Sequence, residues 1–153
     1  MADDAVRAPL PGAVLFACNF NRVRSPMAEA LLKRALGDRI YVDSCGLRRE
    51  ATETGGLVDP FVQAVMAEIS CDLAAHRPKT FGDLEDDSFD LVVSLTPEAQ
   101  HRAVELTRGR AAEIEYWPTF DPTLTDGSRE ARIAAYRQVR DTLAARIAER
   151  FGR

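Results

Sequence analysis

This chain lacks a cysteine framework, a long apolar run and an excess of basic charge. Its three cysteines stand at irregular spacing in 153 residues. They form neither a disulfide scaffold nor a zinc-ligand pattern, so reduced thiols in a cytoplasmic setting are expected. No stretch approaches the roughly 20 apolar residues that a spanning helix needs. The start, Met1-Ala2-Asp3-Asp4, is acidic and unlike a signal peptide, so no membrane association is expected. Lys and Arg total 20 against 24 Asp and Glu, a net charge of −4, which argues against a nucleic-acid partner. Repeats, linkers and low-complexity tracts are missing as well.

What is present is ordinary globular material, 46% apolar and 29% charged. The length predicts a single domain, 1–153, with about 1–12 as a flexible N-terminal extension. Apolar periodicity predicts strands at about 13–18, 39–44, 89–95 and 113–117, and helices at about 25–37, 58–70, 97–108 and 128–151. The last helix is the most strongly patterned: Ile133, Tyr136, Val139, Leu143, Ile147 and Phe151 recur at spacings of three and four, a core-facing stripe. Strands alternating with helices require right-handed crossovers. They imply an α/β fold, a three-layer sandwich with a parallel sheet covered by helices on both faces. Sites in such folds collect at the carboxyl ends of strands.

One such end is chemically distinctive. Ala13-Val14-Leu15-Phe16-Ala17 leads into Cys18, the loop Asn19-Phe20-Asn21-Arg22-Val23 follows, and Arg24-Ser25-Pro26 opens an amphipathic segment. A Cys with Arg six positions later is weak evidence alone. With 18 arginines in 153 residues, three cysteines give about a one-in-three chance of such a pair. Cys71 and Arg77 have the same spacing, but Cys71 follows a helix-like run and Arg77 precedes a proline. Only Cys18 has strand, loop and helix start in sequence. Ser25 reads as the N-cap and Pro26 as the first helical residue.

Each part serves thiolate chemistry on an oxyanion. Helix N-termini and nearby arginines lower cysteine pKa values to roughly 3.5–7.5. The backbone N–H groups of residues 19–24 can form an anion nest at the positive end of the helix dipole. Arg24 can grip two phosphate oxygens with its planar fork, Ser25 can donate to the thiolate, and Asn21 tolerates the left-handed backbone that tight nests require. The plain alternative is a buried cysteine in an ordinary strand–loop–helix; the context favours the functional reading.

With those residues in view, the chain resembles the low-molecular-weight protein tyrosine phosphatase family, which also includes thioredoxin-coupled arsenate reductases. The resemblance is carried by Cys18 through Arg24-Ser25-Pro26-Met27-Ala28-Glu29-Ala30, Asp43-Ser44-Cys45-Gly46, Asp59-Pro60, His76-Arg77, Phe89-Asp90-Leu91-Val92-Val93, Asp121-Pro122 and Ala135-Tyr136-Arg137-Gln138-Val139-Arg140-Asp141. It implies a four-stranded parallel sheet, no metal and no organic cofactor. It implies that Cys18 attacks phosphorus, that Arg24 holds the phosphoryl group, and that Asp121 protonates the leaving oxygen and then activates water. Residues by themselves leave Asp121-Pro122 as readily a turn start. Asn21, Ser25, Ser44 and His76 are implied to support the loop. A phosphorylated protein or small phosphoester, and inorganic phosphate or a similar oxyanion, are the implied ligands.

The chain departs from the family at several positions. Phe20 stands where glycine is usual, and Val23 where many members carry a second cysteine. Leu47, Arg48 and Arg49 follow Gly46, and Thr123 and Leu124 follow Pro122, in place of substrate-flanking aromatics. Stacking on a substrate ring then falls to Phe20, Phe120 or Trp117. Arg22, Arg48 and Arg49 either make the mouth basic or form a solvated surface. These losses predict that phosphotyrosine is not the preferred substrate. The alternatives are an arsenate reductase, disfavoured because 91–102 holds no relay cysteine unless Cys45 or Cys71 substitutes, and a phosphate-binding module without turnover. A reversible Cys18–Cys45 disulfide is a further expectation.

Overall fold

In a computed structural model the chain is described over residues 9–49, 57–86 and 88–152. The first eight residues of the expected N-terminal extension therefore lie outside the described residues. Strands β1 (Ala13–Cys18), β2 (Tyr41–Gly46), β3 (Leu91–Ser94) and β4 (Glu113–Tyr116) form one sheet in the order β2-β1-β3-β4, every pairing parallel. Helices α1 (Arg24–Leu36), α2 (Pro60–Ala67), α3 (Pro97–Thr107) and α4 (Arg129–Phe151) cover it. Short 3₁₀ turns form at Gly37–Arg39, Phe81–Asp83 and Pro122–Leu124. The expected α/β sandwich is the observed one.

Side chains of β1 alternate between two cores, as period-two geometry demands. Val14, Phe16 and Cys18 pack under α1, α2 and α4, against Met27, Leu32, Val62, Met66, Val139 and Leu143. Leu15 and Ala17 face the opposite side with Cys45, Val92, Ala99 and Ala103, beneath α3. The α4 stripe read from the sequence is buried along its full length. Among the described residues no helix is long and apolar enough to cross a membrane.

Element ends move for identifiable reasons. Strand β2 starts and finishes two residues later than the pattern predicts, because Gly37–Arg39 is taken by a 3₁₀ turn and Ser44-Cys45-Gly46 continues the ladder. Helix α2 is shorter than expected: Asp59 caps it by accepting from the Phe61 N–H at 2.8 Å. It stops where Ser70 takes φ of 63° and Cys71 N–H returns to the Met66 carbonyl at 2.9 Å. Helix α1 begins two residues earlier than the capping argument required. Val23 is its N-cap and no side chain bonds the cap, so Ser25 and Pro26 both sit inside the first turn. Pro26 is tolerated there because the first-turn N–H groups lack helical partners anyway. Ser25 does not cap because its hydroxyl is engaged elsewhere.

Core packing predicts a sharp contrast between two leucines. Leu143, 2% exposed, lies in the α4 core, whereas Leu124 is 71% exposed. Leu143→Ala is expected to cost about 2–5 kcal/mol, and Leu124→Ala less than about 0.5 kcal/mol, read from urea unfolding midpoints. Comparable losses at the two positions would contradict the packing described.

Candidate active site

Cys18 ends β1, the strand that lies between β2 and β3, where chain connections diverge to either side of the sheet. That is the crevice position for ligands in open α/β sheets. The loop from Asn19 to Val23 turns over the strand end and feeds directly into α1. Among the described residues, the backbone N–H groups of Phe20, Asn21, Val23 and Arg24 have no protein acceptor. They constitute the donor set of an anion nest at a helix N-terminus.

The loop is held from beneath by one buried amide. Asn21 is fully buried with φ of 57°, the left-handed conformation expected of it. Lys79 N–H donates to Asn21 Oδ1 at 3.1 Å, which sets the amide's orientation. His76 Nε2 lies 3.1 Å from both Asn21 Oδ1 and the Asn21 carbonyl; both are acceptors, so Nε2 carries the proton. Asn21 Nδ2 in turn donates to Ser25 Oγ at 2.8 Å and Ser44 Oγ at 2.9 Å. Each hydroxyl is thereby an acceptor from Asn21 and free to donate onward. Ser44 gives its proton to Glu29 Oε1 at 2.5 Å. Ser25 Oγ stands 2.9 Å from Cys18 Sγ, the nearer of its two outlets, the other being the Cys45 carbonyl at 3.4 Å. The chain of donors therefore runs from His76 through Asn21 and Ser25 toward the sulfur.

Two further contacts clamp the loop. Gly46 pairs with Cys18 across the sheet. A Cβ there would lie 2.8 Å from Asn19 O, Asn21 N and Phe20 C. Thr96, the N-cap of α3, donates its hydroxyl to Asn19 Oδ1 at 2.8 Å. The Asn19 carbonyl accepts from Leu47 N–H at 2.8 Å. Asn19 thus ties the loop to its surroundings, with its side chain directed toward α3.

A cleft of about 270 Å³ opens above Cys18, lined by Phe20, Arg22, Val23, Arg24, Asp59, Asp121 and Thr123. Arg24 donates through Nη1 to the Thr119 carbonyl at 3.0 Å, and its Nη2 lies 3.8 Å from Asp121 Oδ2. Asp59 N–H holds the Arg22 carbonyl at 3.1 Å, and Tyr136 of α4 donates to Asp59 Oδ2 at 3.0 Å. A larger groove of about 950 Å³ lies behind α1 and reaches His76 and Cys71. The chemistry belongs to the smaller cleft, since there the thiol stands at a strand end beneath the free N–H groups of a helix N-terminus, with Arg24 and Asp121 beside it. The Cys71 thiol in the larger groove follows the end of α2 and has no such nest.

Burial shapes the supporting groups. It pushes the His76 imidazole below its ordinary value, with the Asn21 backbone contact acting in the opposite sense. It pushes the Cys45 thiol far upward, helped by the neighbouring Cys18 and Asp43. Tyr136 is raised by burial and then by the Asp59 carboxylate that it faces.

Cys18, Arg24, Asp121 and the loop are thus brought together, with Ser25, Ser44 and His76 beneath. Several expectations fail. Trp117 is 3% exposed and tilted against Phe16 in the core, so it cannot stack on a ligand. Phe120, 60% exposed, lines a neighbouring cavity. Of the three aromatics only Phe20 lines the cleft, with the Arg48 guanidinium 5.2 Å from its ring centroid. Arg49 turns away to Asp83 at 2.7 Å. The expected Cys18–Cys45 bridge is also corrected: Cys45 is registered with Ala17, packs on the other face of the sheet, and both thiols are free. The sequence alone assigned no part in the site to Glu29, Gly46, Asp59, Thr96, Thr123 or Tyr136, although Tyr136 was placed in the core stripe of the last helix. Asp59-Pro60 and Thr96-Pro97 were both legible as helix caps, and nothing local marked the site contacts of the rest.

Comparison with known proteins supplies the context. A family model for low molecular weight phosphotyrosine protein phosphatase matches residues 13–150. An arsenate reductase of Halalkalibacterium halodurans is 31% identical over 134 residues, covering 88% of this chain and 91% of that protein. A low molecular weight protein-tyrosine-phosphatase of Streptomyces coelicolor is 32% identical over 128 residues, covering 74% and 72%. Among solved structures, an arsenate reductase in the phosphate binding state is 26% identical, with a TM-score of 0.73 and coverage of 92% of this chain and 96% of that one.

Gly46→Ala is predicted to displace the loop backbone. It should weaken phosphate inhibition by about tenfold or more and cost about 1–3 kcal/mol of stability; an unchanged phosphate inhibition constant would contradict the clamp. His76 favours its neutral form in the fold, so the unfolded chain takes up the proton more readily. Its effect is nil above the ordinary histidine range near about 6.5 and destabilising as pH falls below it. Thermal midpoints between pH 7.5 and 5 should fall more steeply for the wild type than for His76→Asn. Parallel curves would contradict this.

Proposed function

The chain belongs to the low molecular weight phosphotyrosine protein phosphatase family, and from that premise we propose that it hydrolyses phosphomonoesters through a phosphocysteine at Cys18. The observation that carries this reading is the convergence, over one nest of backbone donors, of the Cys18 sulfur, the Arg24 fork and the Asp121 carboxyl. The phosphoryl oxygens occupy the nest and the Arg24 fork. The Thr119 carbonyl engages one end of that fork and leaves the other toward the cleft. The Cys18 thiolate forms the S–P bond while the P–O bond to the leaving group breaks, and Asp121 gives the leaving oxygen its proton. Water then attacks phosphorus, Asp121 takes a proton from it, and the S–P bond breaks to release inorganic phosphate. Ser25 donates to the sulfur as it departs. Such acid–base work is typically worth 10²–10⁴-fold.

Loss of a flanking aromatic wall supports a substrate other than phosphotyrosine. Phe20 is the lone aromatic of the cleft lining, and it already carries Arg48. Comparing kcat/KM across phosphotyrosyl peptides, phosphoserine, phosphoarginine and small aryl phosphates tests this. A strong preference for phosphotyrosine would overturn it.

The relative named arsenate reductase supports a second reading, because a nest for tetrahedral oxyanions accepts arsenate as it does phosphate. Reduction also needs a second thiol able to reach the Cys18 sulfur. Residues 91–102 contain none, and Cys45 lies across the sheet with its thiol held protonated by burial. Cys71 lines the groove behind α1 and not the cleft above Cys18, so arsenate is expected to inhibit competitively without consuming reductant in a thioredoxin-coupled assay.

The primary test is hydrolysis of para-nitrophenyl phosphate between pH 5 and 7. Cys18→Ser should abolish turnover, and Asp121→Ala should lower kcat by about 10²-fold or more. A folded wild-type protein without turnover would favour a phosphate-binding module instead.

A further inference from the structure

Asp121 sits at the head of the 3₁₀ turn Pro122–Leu124, and its two oxygens are not equivalent. Oδ1 accepts from the Thr123 backbone N–H at 3.0 Å and from the Thr123 hydroxyl at 2.6 Å. Oδ2 has no hydrogen-bond donor among the described residues. Its nearest cation, Arg24 Nη2, lies at 3.8 Å, outside hydrogen-bond range. We propose that Thr123 is a positioning residue for the acid–base step, locking Asp121 so that Oδ2 alone carries and delivers the proton; this rests on the phosphohydrolase reading above.

The argument is one of valence. An sp² oxygen with two donors on it has both lone pairs engaged, so a proton on the carboxyl must reside on the other oxygen. Asp121 belongs to the wall of the cleft whose base is Cys18, and Oδ2 is the oxygen on the Arg24 side of that wall. The backbone N–H at position 123 would bond Oδ1 with almost any residue there. The hydroxyl is what threonine adds, in the stretch where the family's substrate-flanking aromatics are replaced in this chain. Two donors from one residue also stop the carboxyl from rotating about its last bond, which a single donor cannot do. The same oxygen then serves both half-reactions, giving a proton to the leaving oxygen as S–P forms and receiving one from water as S–P breaks.

The charged neighbours do not offer an alternative. Arg22 and Arg24 reach the cleft from the loop and α1, and Asp59 from the start of α2. Tyr136 of α4 feels the Asp121 charge but donates to Asp59; Arg132 of the same helix acts on Tyr136 and packs over the Phe61 ring. Thr123 is the residue that hydrogen-bonds the Asp121 carboxyl among those described.

The test compares wild type, Thr123→Val, Thr123→Ser and Asp121→Asn on two substrates between pH 4.5 and 8. Phenyl phosphate has a leaving group as basic as tyrosine, about 10, and needs the proton. The phenolate of 2,4-dinitrophenyl phosphate leaves without one. Thr123→Val should lower kcat/KM for phenyl phosphate about tenfold and for the dinitrophenyl ester less than about twofold. Thr123→Ser should restore the phenyl phosphate value, and the inhibition constant of inorganic phosphate should not change in either variant. Equal losses on both substrates, or full activity of Thr123→Val, would overturn the inference. Full activity of Thr123→Val beside a crippled Asp121→Asn would do so while leaving the phosphohydrolase reading intact. A wild type inactive on both esters would remove that reading and this inference together. Thr123 is exposed, and thermal midpoints with Thr123→Ala as a second variant separate loss of fold from loss of positioning.

Discussion

The site depends on a buried amide in a left-handed backbone. Asn21 turns the loop over the end of β1 with φ of 57°, a conformation that costs a residue with a Cβ about 1–2 kcal/mol. Its side chain offsets that cost by satisfying every polar atom that it buries. Oδ1 accepts from Lys79 and His76, while Nδ2 donates to Ser25 and Ser44. Because an amide cannot donate through oxygen or accept through nitrogen, the direction of every neighbouring hydrogen bond follows. Ser25 can then offer its proton to Cys18, and Ser44 must offer its own to Glu29. Reversing any one link would leave a buried donor or acceptor unpaired, which typically costs about 1–3 kcal/mol.

Around that stiff floor the walls of the cleft are built differently. The floor is made of buried strand ends and hydrogen-bonded loops, and Gly46 lets β2 press directly on loop backbone. The rim is made of side chains on loops and turns: Phe20 with the exposed Arg48 over its ring, and the exposed Thr123 beside Asp121. Oxyanion geometry is therefore set by packing, whereas leaving-group preference is left to residues that can change without disturbing the core.

That division bears on why relatives of similar identity are named both arsenate reductase and protein-tyrosine-phosphatase. Phosphate and arsenate are both tetrahedral oxyanions, and a nest of backbone donors with one arginine has little means of telling them apart. What separates the reactions is the next nucleophile to arrive: water assisted by a carboxylate, or a second thiol. Here the carboxylate stands on the cleft wall, and the buried thiol nearest in sequence to β2's end faces away from it.

Local patterns were enough to place β1, the loop, α1 and the α4 stripe, because each is encoded within a few turns of chain. Apolar alternation, a cysteine at a strand end, an asparagine in a tight loop and a 3.6-residue period are short-range signals. They also sufficed to nominate Cys18, Arg24 and, with the family resemblance, Asp121. Long-range register decided the rest. A difference of two residues in where β2 ends brought Cys45 and Gly46 onto the ladder. Pairing Cys45 with Ala17 then sent its sulfur to the face opposite Cys18, since neighbouring strand positions point to opposite sides. Glu29, Thr96, Asp59 and Tyr136 likewise acquired their places through contacts between elements distant in sequence, and Trp117 lost its expected role to core packing. Sequence by itself determined the fold class and nominated Cys18 and Arg24, because both follow from local periodicity and residue chemistry. Only the tertiary structure decided how the polar groups beneath the loop connect and that the Cys45 thiol faces away from Cys18, because burial and register arise from the chain as a whole.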